Sequence, residues 1–93
     1  GFLIVWDVES KKEKRRIRVR GGAVYTVHFS PKGDMVATGG FDGKVRIWSA
    51  RNWKLVALLE GHKSRITRLR FSPDGRKLVS GDDRGWVIIW DVR

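Results

Sequence analysis

The chain has 93 residues and a mass of 10.7 kDa, is 41% hydrophobic, and carries 20 Lys and Arg against 10 Asp and Glu, a formal net charge of +10. That length suffices for one modest domain and not comfortably for two. Without cysteine there is no disulfide staple and no Cys-based zinc site, and no apolar run approaches the roughly 18 residues of a membrane span.

Short β-branched and aromatic runs separated by Gly, Pro, Asp and Ser predict strands throughout. In chain order they are Phe2 to Val8, a polar Lys14 to Val19, Val24 to Phe29, Met35 to Thr38, Lys44 to Trp48, Lys54 to Leu59, Ile66 to Phe71, Lys77 to Ser80 and Trp86 to Val92. The fold class is all-β, with no helix. Ser30-Pro31-Lys32-Gly33-Asp34 and Ser72-Pro73-Asp74-Gly75-Arg76 predict hairpin turns, because Pro presets its φ and Gly tolerates positive φ.

The strands recur. Trp6, Trp48 and Trp90 are spaced by 42 residues, inside the segments IVWDV, VRIWSA and VIIWDV. At the same offset Tyr25 to Gly33 falls on Thr67 to Gly75, Met35 to Gly39 falls on Lys77 to Gly81, and Gly1, Gly43 and Gly85 coincide. A period of about 40 to 45 residues is that of one four-stranded propeller blade. A blade has two apolar faces and buries both only if neighbours stack on each side. Closed propellers use roughly four to eight blades, so two units leave large apolar faces uncovered.

Trp6-Asp7, Trp90-Asp91, Gly61-His62, the two Phe-Ser-Pro-x-Gly turns and the strand ends Thr38-Gly39 and Ser80-Gly81 give a chain that resembles the WD-repeat β-propellers over essentially its whole length. The resemblance implies four-stranded antiparallel blades with strands a to d running outward from a central channel. In that scheme the order is c, d, a, b, c, d, a, b, c: two blades plus one extra strand, completed by oligomerisation or by missing blades. The divisions are a partial unit over 1–9, a first full unit over 10–51 and a second over 52–93.

The resemblance further implies a buried relay from the strand c Trp through a Ser or Thr to the Gly-His histidine and a turn Asp, since a desolvated polar group is costly unless paired. Trp48, Thr38 and Asp42 match in the first unit, with Arg20 at the histidine position. Trp90, Ser80 and His62 match in the second, with Arg84 where Asp is expected and Asp83 one residue early. Neither relay is complete as written. His62 reads as a bracing residue and His28 as a strand residue. Two histidines without ligand spacing do not make a zinc site, and no cofactor is expected.

Partners of the family dock on the face where the d to a and b to c loops emerge, which implies Phe41, Lys63, Ser64, Arg65 and Asp83 here. Phe41 is the aromatic anchor in this reading, or else it packs on the adjacent blade; Trp53 and Trp86 are expected to pack. No nucleophile motif, phosphate loop or carboxylate pair points to catalysis.

Positive charge concentrates in Lys11, Lys12, Lys14, Arg15, Arg16, Arg18 and Arg20, seven basic residues within one polar strand and its flanks. An edge strand is often kept polar against aggregation, and a charge-rich thermophilic composition is another reading. The lopsided sign also admits nucleic acid or another polyanion as partner, although no stacking aromatics interleave with the run.

The expected function is a non-catalytic propeller module that scaffolds protein–protein interactions. It is either a fragment of a larger propeller or a module that closes with copies of itself. The absence of a secretory pattern sets the expectation of a cytoplasmic or other intracellular location.

Overall fold

The computed structural model describes residues 1–92. Nine strands follow one another: β1 (Phe2–Asp7), β2 (Lys12–Arg18), β3 (Val24–Phe29), β4 (Met35–Gly40), β5 (Val45–Ser49), β6 (Leu55–Leu59), β7 (Ile66–Phe71), β8 (Lys77–Asp82) and β9 (Val87–Asp91). No helix occurs among the described residues. The polar strand starts at Lys12, earlier than its apolar content suggested, because β1 offers pairing partners down to Asp7.

All pairings are antiparallel, and the strands form three open sheets, β1-β2, β3-β4-β5-β6 and β7-β8-β9. In the scheme implied by the resemblance these are strands c and d of one blade, all four strands of the next, and strands a to c of a third. Hydrogen-bonded sheets and 42-residue units are out of phase: β2 and β6, which open the two full units, each pair with the last strand of the unit before.

Turn chemistry sets the hairpins. Gly33 and Gly75 adopt φ of 74° and 73°, a region open to Gly at no steric cost, and each closes a turn by donating its N–H to the carbonyl of Ser30 or Ser72 at 2.9 Å. The Ser30 and Ser72 hydroxyls then accept the N–H of Met35 and Lys77, both at 3.0 Å.

Alternation along the strands sends one side chain set to each face. Ala37, Val45 and Ile47 of the central sheet pack with Ile66, Leu69, Phe71 and Leu78 of the third, with Met35, Ala57, Leu59 and Trp90 at the margin. The opposite face carries Val36 and Trp48, which pack with Leu3 and Ile17 of the first sheet, Val19, Val24 and Trp53. The three sheets thus stack face to face, and β3 lies beside β7, inner strand against inner strand. His28 sits in β3, as its sequence context suggested, and its Nδ1 accepts the Phe71 N–H at 3.2 Å. The two outermost faces are bare: Phe2, Ile4 and Trp6 are exposed at one end, Val79, Val87 and Ile89 at the other.

Candidate functional site

The second relay is complete, and it corrects the expectation drawn from the repeat. Trp90 Nε1–H donates to Ser80 Oγ at 2.8 Å. Ser80 Oγ lies 2.5 Å from His62 Nε2, and His62 Nδ1 lies 2.8 Å from Asp82 Oδ2. The acid is Asp82, two residues before Arg84, because the end of β8 points its side chain inward while Asp83 turns outward. Asp82 Oδ1 also accepts the backbone N–H of Arg84 and Trp86, at 2.9 and 3.0 Å, so one carboxylate braces the histidine and shapes the β8–β9 loop. Burial opposes ionisation of Asp82, yet the hydrogen bonds from His62, Trp86 and Arg84 outweigh it and hold the carboxyl below its ordinary 3.8. With Asp82 ionised, Nδ1–H donates to it and Nε2 accepts the Ser80 hydroxyl proton, so each donor in the chain has one acceptor.

Ser80, His62 and Asp82 share the connectivity of a hydrolytic triad. Ser80 has no exposed surface, its hydroxyl is held between Trp90 and His62, and the His62 and Asp82 side chains are 0% and 1% exposed. A substrate cannot reach the oxygen; the arrangement is a brace.

In the central sheet the relay stops early. Trp48 Nε1–H donates to Thr38 Oγ1 at 3.0 Å, but Arg20 is exposed and supplies no link. Asp42 instead accepts from Arg46 Nη2 at 2.9 Å and from the Lys44 N–H at 3.1 Å. Partial burial works against the Asp42 charge, and these donors still depress its pKa. The loop before β3 bends around this pair: Gly21 has φ of 93°, and a Cβ there would fall 2.0 Å from Asp42 Oδ2.

The five residues expected on the docking face occupy one rim of the stack, in unequal roles. Asp83 accepts from the Ser64 hydroxyl and, at 2.7 Å, from Arg65 Nε. Those two bonds hold its carboxyl below 3.8, and Arg65 in turn is held further into its charged form. Ser64, Arg65 and Asp83 therefore neutralise one another, joining the β6–β7 loop to the β8–β9 loop. The β4–β5 loop touches both neighbours, since the Gly43 backbone abuts the carbonyls of His62 and Ser64 while the Phe41 ring abuts Gly22. Phe41 is 61% exposed, with one side of its ring against Gly22 and the rest open to solvent.

Lys63 forms no ion pair or side-chain hydrogen bond among the described residues, and neither does Arg84. Together with Gly61, Asp82, Trp86 and Ile88 they line a concavity of about 200 Å³. Trp86 was expected to pack; it is 70% exposed, standing before β9 at the rim of this hollow. Trp53 does pack, beside Val36 and Trp48. Arg84 and Trp86 were not singled out as site residues, and the available signal was their departure from the repeat: Asp42 and Lys44 stand at the matching positions.

The basic strip is exposed along β2 but divided between two faces. Arg15 Nη1–H donates to the Asn52 carbonyl at 2.8 Å, toward the central sheet. On the other face Arg16 pairs with Glu13 at 2.6 Å, and the Arg16 and Arg18 guanidiniums lie 5.7 and 6.0 Å from the Phe2 ring centre. Lys11, Lys12 and Arg20 have no side-chain hydrogen bond or ion pair among the described residues. That Phe2 sits under two arginines was invisible in the run itself, because the aromatic comes from the neighbouring strand.

A family model, the WD domain or G-beta repeat, matches residues 12–49 and 53–91. The chain belongs to the WD40 repeat family. Similar proteins include Protein HIR1 of Eremothecium gossypii, 38% identical over 90 residues that cover 77% of this chain and 11% of that protein. Transducin beta-like protein 3 of Rattus norvegicus is 30% identical over 95 residues, covering 100% of this chain and 12% of the relative. Small ribosomal subunit protein RACK1y of Oryza sativa is 36% identical over 73 residues, 76% of this chain and 22% of the relative. The chain thus spans about a tenth of the length of the first of these WD40 proteins. No helix among the described residues is long and apolar enough to cross a membrane.

Proposed function

We propose that this chain is part of a β-propeller that acts as a non-catalytic platform for protein recognition, and that its loop rim takes an acidic segment of a protein partner. The observation that carries this reading is the hollow between the β6–β7 and β8–β9 loops. There an exposed indole, Trp86, stands beside two unneutralised cations, Lys63 and Arg84, and Phe41 extends the same rim. Aromatic anchors flanked by charge are the usual energetic centre of an interface, and unpaired cations select acidic partners. The sealed Ser80 hydroxyl supports a structural role for the relay rather than a catalytic one. Residues 10–51 and 52–93 serve as the repeating units of this platform. An intracellular setting agrees with relatives whose names place them at the ribosome or in rRNA processing, such as RACK1y and the pre-rRNA-processing protein IPI3 of Mycosarcoma maydis.

The test is fluorescence anisotropy with a labelled peptide of alternating Glu and Leu, against a Lys and Leu control. The acidic peptide binds, and Trp86→Ala or Lys63→Glu weakens it about tenfold, as expected for loss of one anchor, while Lys12→Glu leaves it unchanged. Equal binding of both peptides, or indifference to the rim substitutions, overturns the reading.

A second reading is polyanion binding through Lys11 to Arg20, favoured by the Phe2 ring beneath Arg16 and Arg18. It requires affinity for a single-stranded homopolymer that falls steeply with salt, as counterion release dictates, and that drops in Lys11→Glu and Lys12→Glu.

A further inference from the structure

We propose that the outer strand β6, together with the side of β2 that faces it, holds a short amphipathic helix of a protein partner, leucine-like on one face and rich in Asp and Glu beside it. The site lies along the outer strands, apart from the loop rim, and does not depend on the reading given for that rim.

An apolar strip without a cover is the first observation. β6 is the outer strand of the four-stranded sheet, hydrogen-bonded to β5 on its inner side. Its Ala57 and Leu59 pack into the core shared with the third sheet. Leu55 and Leu58 lie opposite Trp48 and Arg46, on the side where Trp48 meets Leu3 and Ile17 of the first sheet. β2 therefore stands across from them, yet Leu55 and Leu58 are 48% and 42% exposed, and Val56, the extra residue of the bulge, is 60% exposed. The strip stays open although the strands on both sides of it are in place. One period earlier the same positions hold Glu13, Lys14 and Arg16, so an outer strand of this kind folds without apolar side chains there. Exposed apolar edges are a liability that proteins blunt with charge or cover. β2 is blunted, and β6 is built for a cover.

Charge selects the occupant. Arg15 Nη1–H donates to the Asn52 carbonyl, which brings its guanidinium to the loop that carries Arg51 and leads into Lys54. That acceptor is uncharged, Arg51 and Lys54 have no side-chain hydrogen bond or ion pair among the described residues, and all three cations are exposed. The acids of the two strands are engaged elsewhere, Glu13 with Arg16 on the other face of β2 and Glu60 with Lys44 at the far end of β6. Three unneutralised cations at the start of an apolar strip are complementary to a segment whose leucines sit beside carboxylates. The bulge decides its conformation. An added strand needs a regular row of backbone N–H and C=O groups, and the bulge at Leu55 and Val56 bends that row. A helix asks no backbone bonds of its host and docks through anchors at i, i+3, i+4 and i+7. The five residues of β6 run for about 16 Å, which is about three turns of helix.

The probe is a labelled peptide of about four helical turns, with Leu at helical spacing and Glu at the positions between, followed by fluorescence anisotropy and far-ultraviolet circular dichroism. The peptide binds and gains helix as it does so. Val56→Asp and Lys54→Glu, both at exposed positions, each weaken it about tenfold, while Trp86→Ala and Lys63→Glu at the loop rim leave it unchanged. Thermal melts establish that the variants fold, and Arg51→Glu, in an exposed loop, takes the place of Val56→Asp if that variant does not. A peptide of the same composition without helical spacing, and a Glu homopeptide, bind at least tenfold more weakly. Equal binding of either control overturns the proposal, the homopeptide because charge alone then suffices. Absence of binding, or binding lost with Trp86→Ala and kept with Lys54→Glu, overturns it as well; the second result places the peptide on the loop rim instead.

Discussion

Ser80→Ala removes the middle of the buried relay, and its cost follows from the bonds it severs. Ser80 is 0% exposed and serves two partners, accepting from Trp90 Nε1–H at 2.8 Å and lying 2.5 Å from His62 Nε2. Losing both bonds forfeits about 1 kcal/mol each, and stranding an indole N–H and a ring nitrogen away from water brings the total to about 2–4 kcal/mol. Thr38→Val is the internal control, because among the described residues Thr38 Oγ1 accepts from Trp48 alone and valine keeps its shape; about 1–2 kcal/mol is expected there. In a domain of this size the serine change lowers Tm by about 8–32 °C. Urea unfolding followed by tryptophan fluorescence measures both variants. Equal losses, or a Ser80→Ala cost below about 1 kcal/mol, would refute the claim that His62 and Asp82 extend the brace in the third sheet.

Acid should weaken the fold through Asp82. Its pKa is depressed below 3.8 in the folded protein, so its contribution is fully present above that value and is lost as pH falls through the lower folded one; Asp82→Asn should flatten that part of a stability profile taken from about pH 5 downward. Gly21→Ala should cost about 2 kcal/mol or more, because its Cβ would fall 2.0 Å from Asp42 Oδ2 at a φ of 93° and would drive Asp42 from Arg46. Gly33→Ala meets nothing within 4 Å and should cost only about 1 kcal/mol for its positive φ, a contrast that thermal melts will show. Phe41→Ala and Trp86→Ala should each change stability by no more than about 0.5 kcal/mol while weakening the acidic peptide; a large loss of stability would show that these side chains pack rather than dock.

The strand order was legible from the sequence because a blade strand needs only alternation, a turn and a partner, and the period supplies all of them twice and the tryptophan strand a third time. The brace was half legible. Trp90, Ser80 and His62 could be paired by position, but Asp82 could not, since it stands opposite Gly40 in the repeat and reaches His62 only because its strand end points inward. Alignment records position, whereas a hydrogen bond depends on side-chain direction and reach. The loop rim shows the same limit: Ser64, Arg65 and Asp83 looked like three independent contacts and turn out to satisfy one another. Lys63 and Arg84 stay free, and Trp86 is left standing at the edge. The division of the basic strip between two faces likewise follows from the period of two along a strand, which a charge count ignores.

The account rests on successive units folding as blades braced through their tryptophans, and hydrogen exchange of the indole N–H groups by NMR tests this most directly. Trp48 and Trp90 donate to Thr38 and Ser80 inside the stack, while Trp6 and Trp86 are 56% and 70% exposed. Slow exchange at Trp48 and Trp90 with fast exchange at Trp6 and Trp86 is the result predicted. Uniformly fast exchange at all four would contradict it.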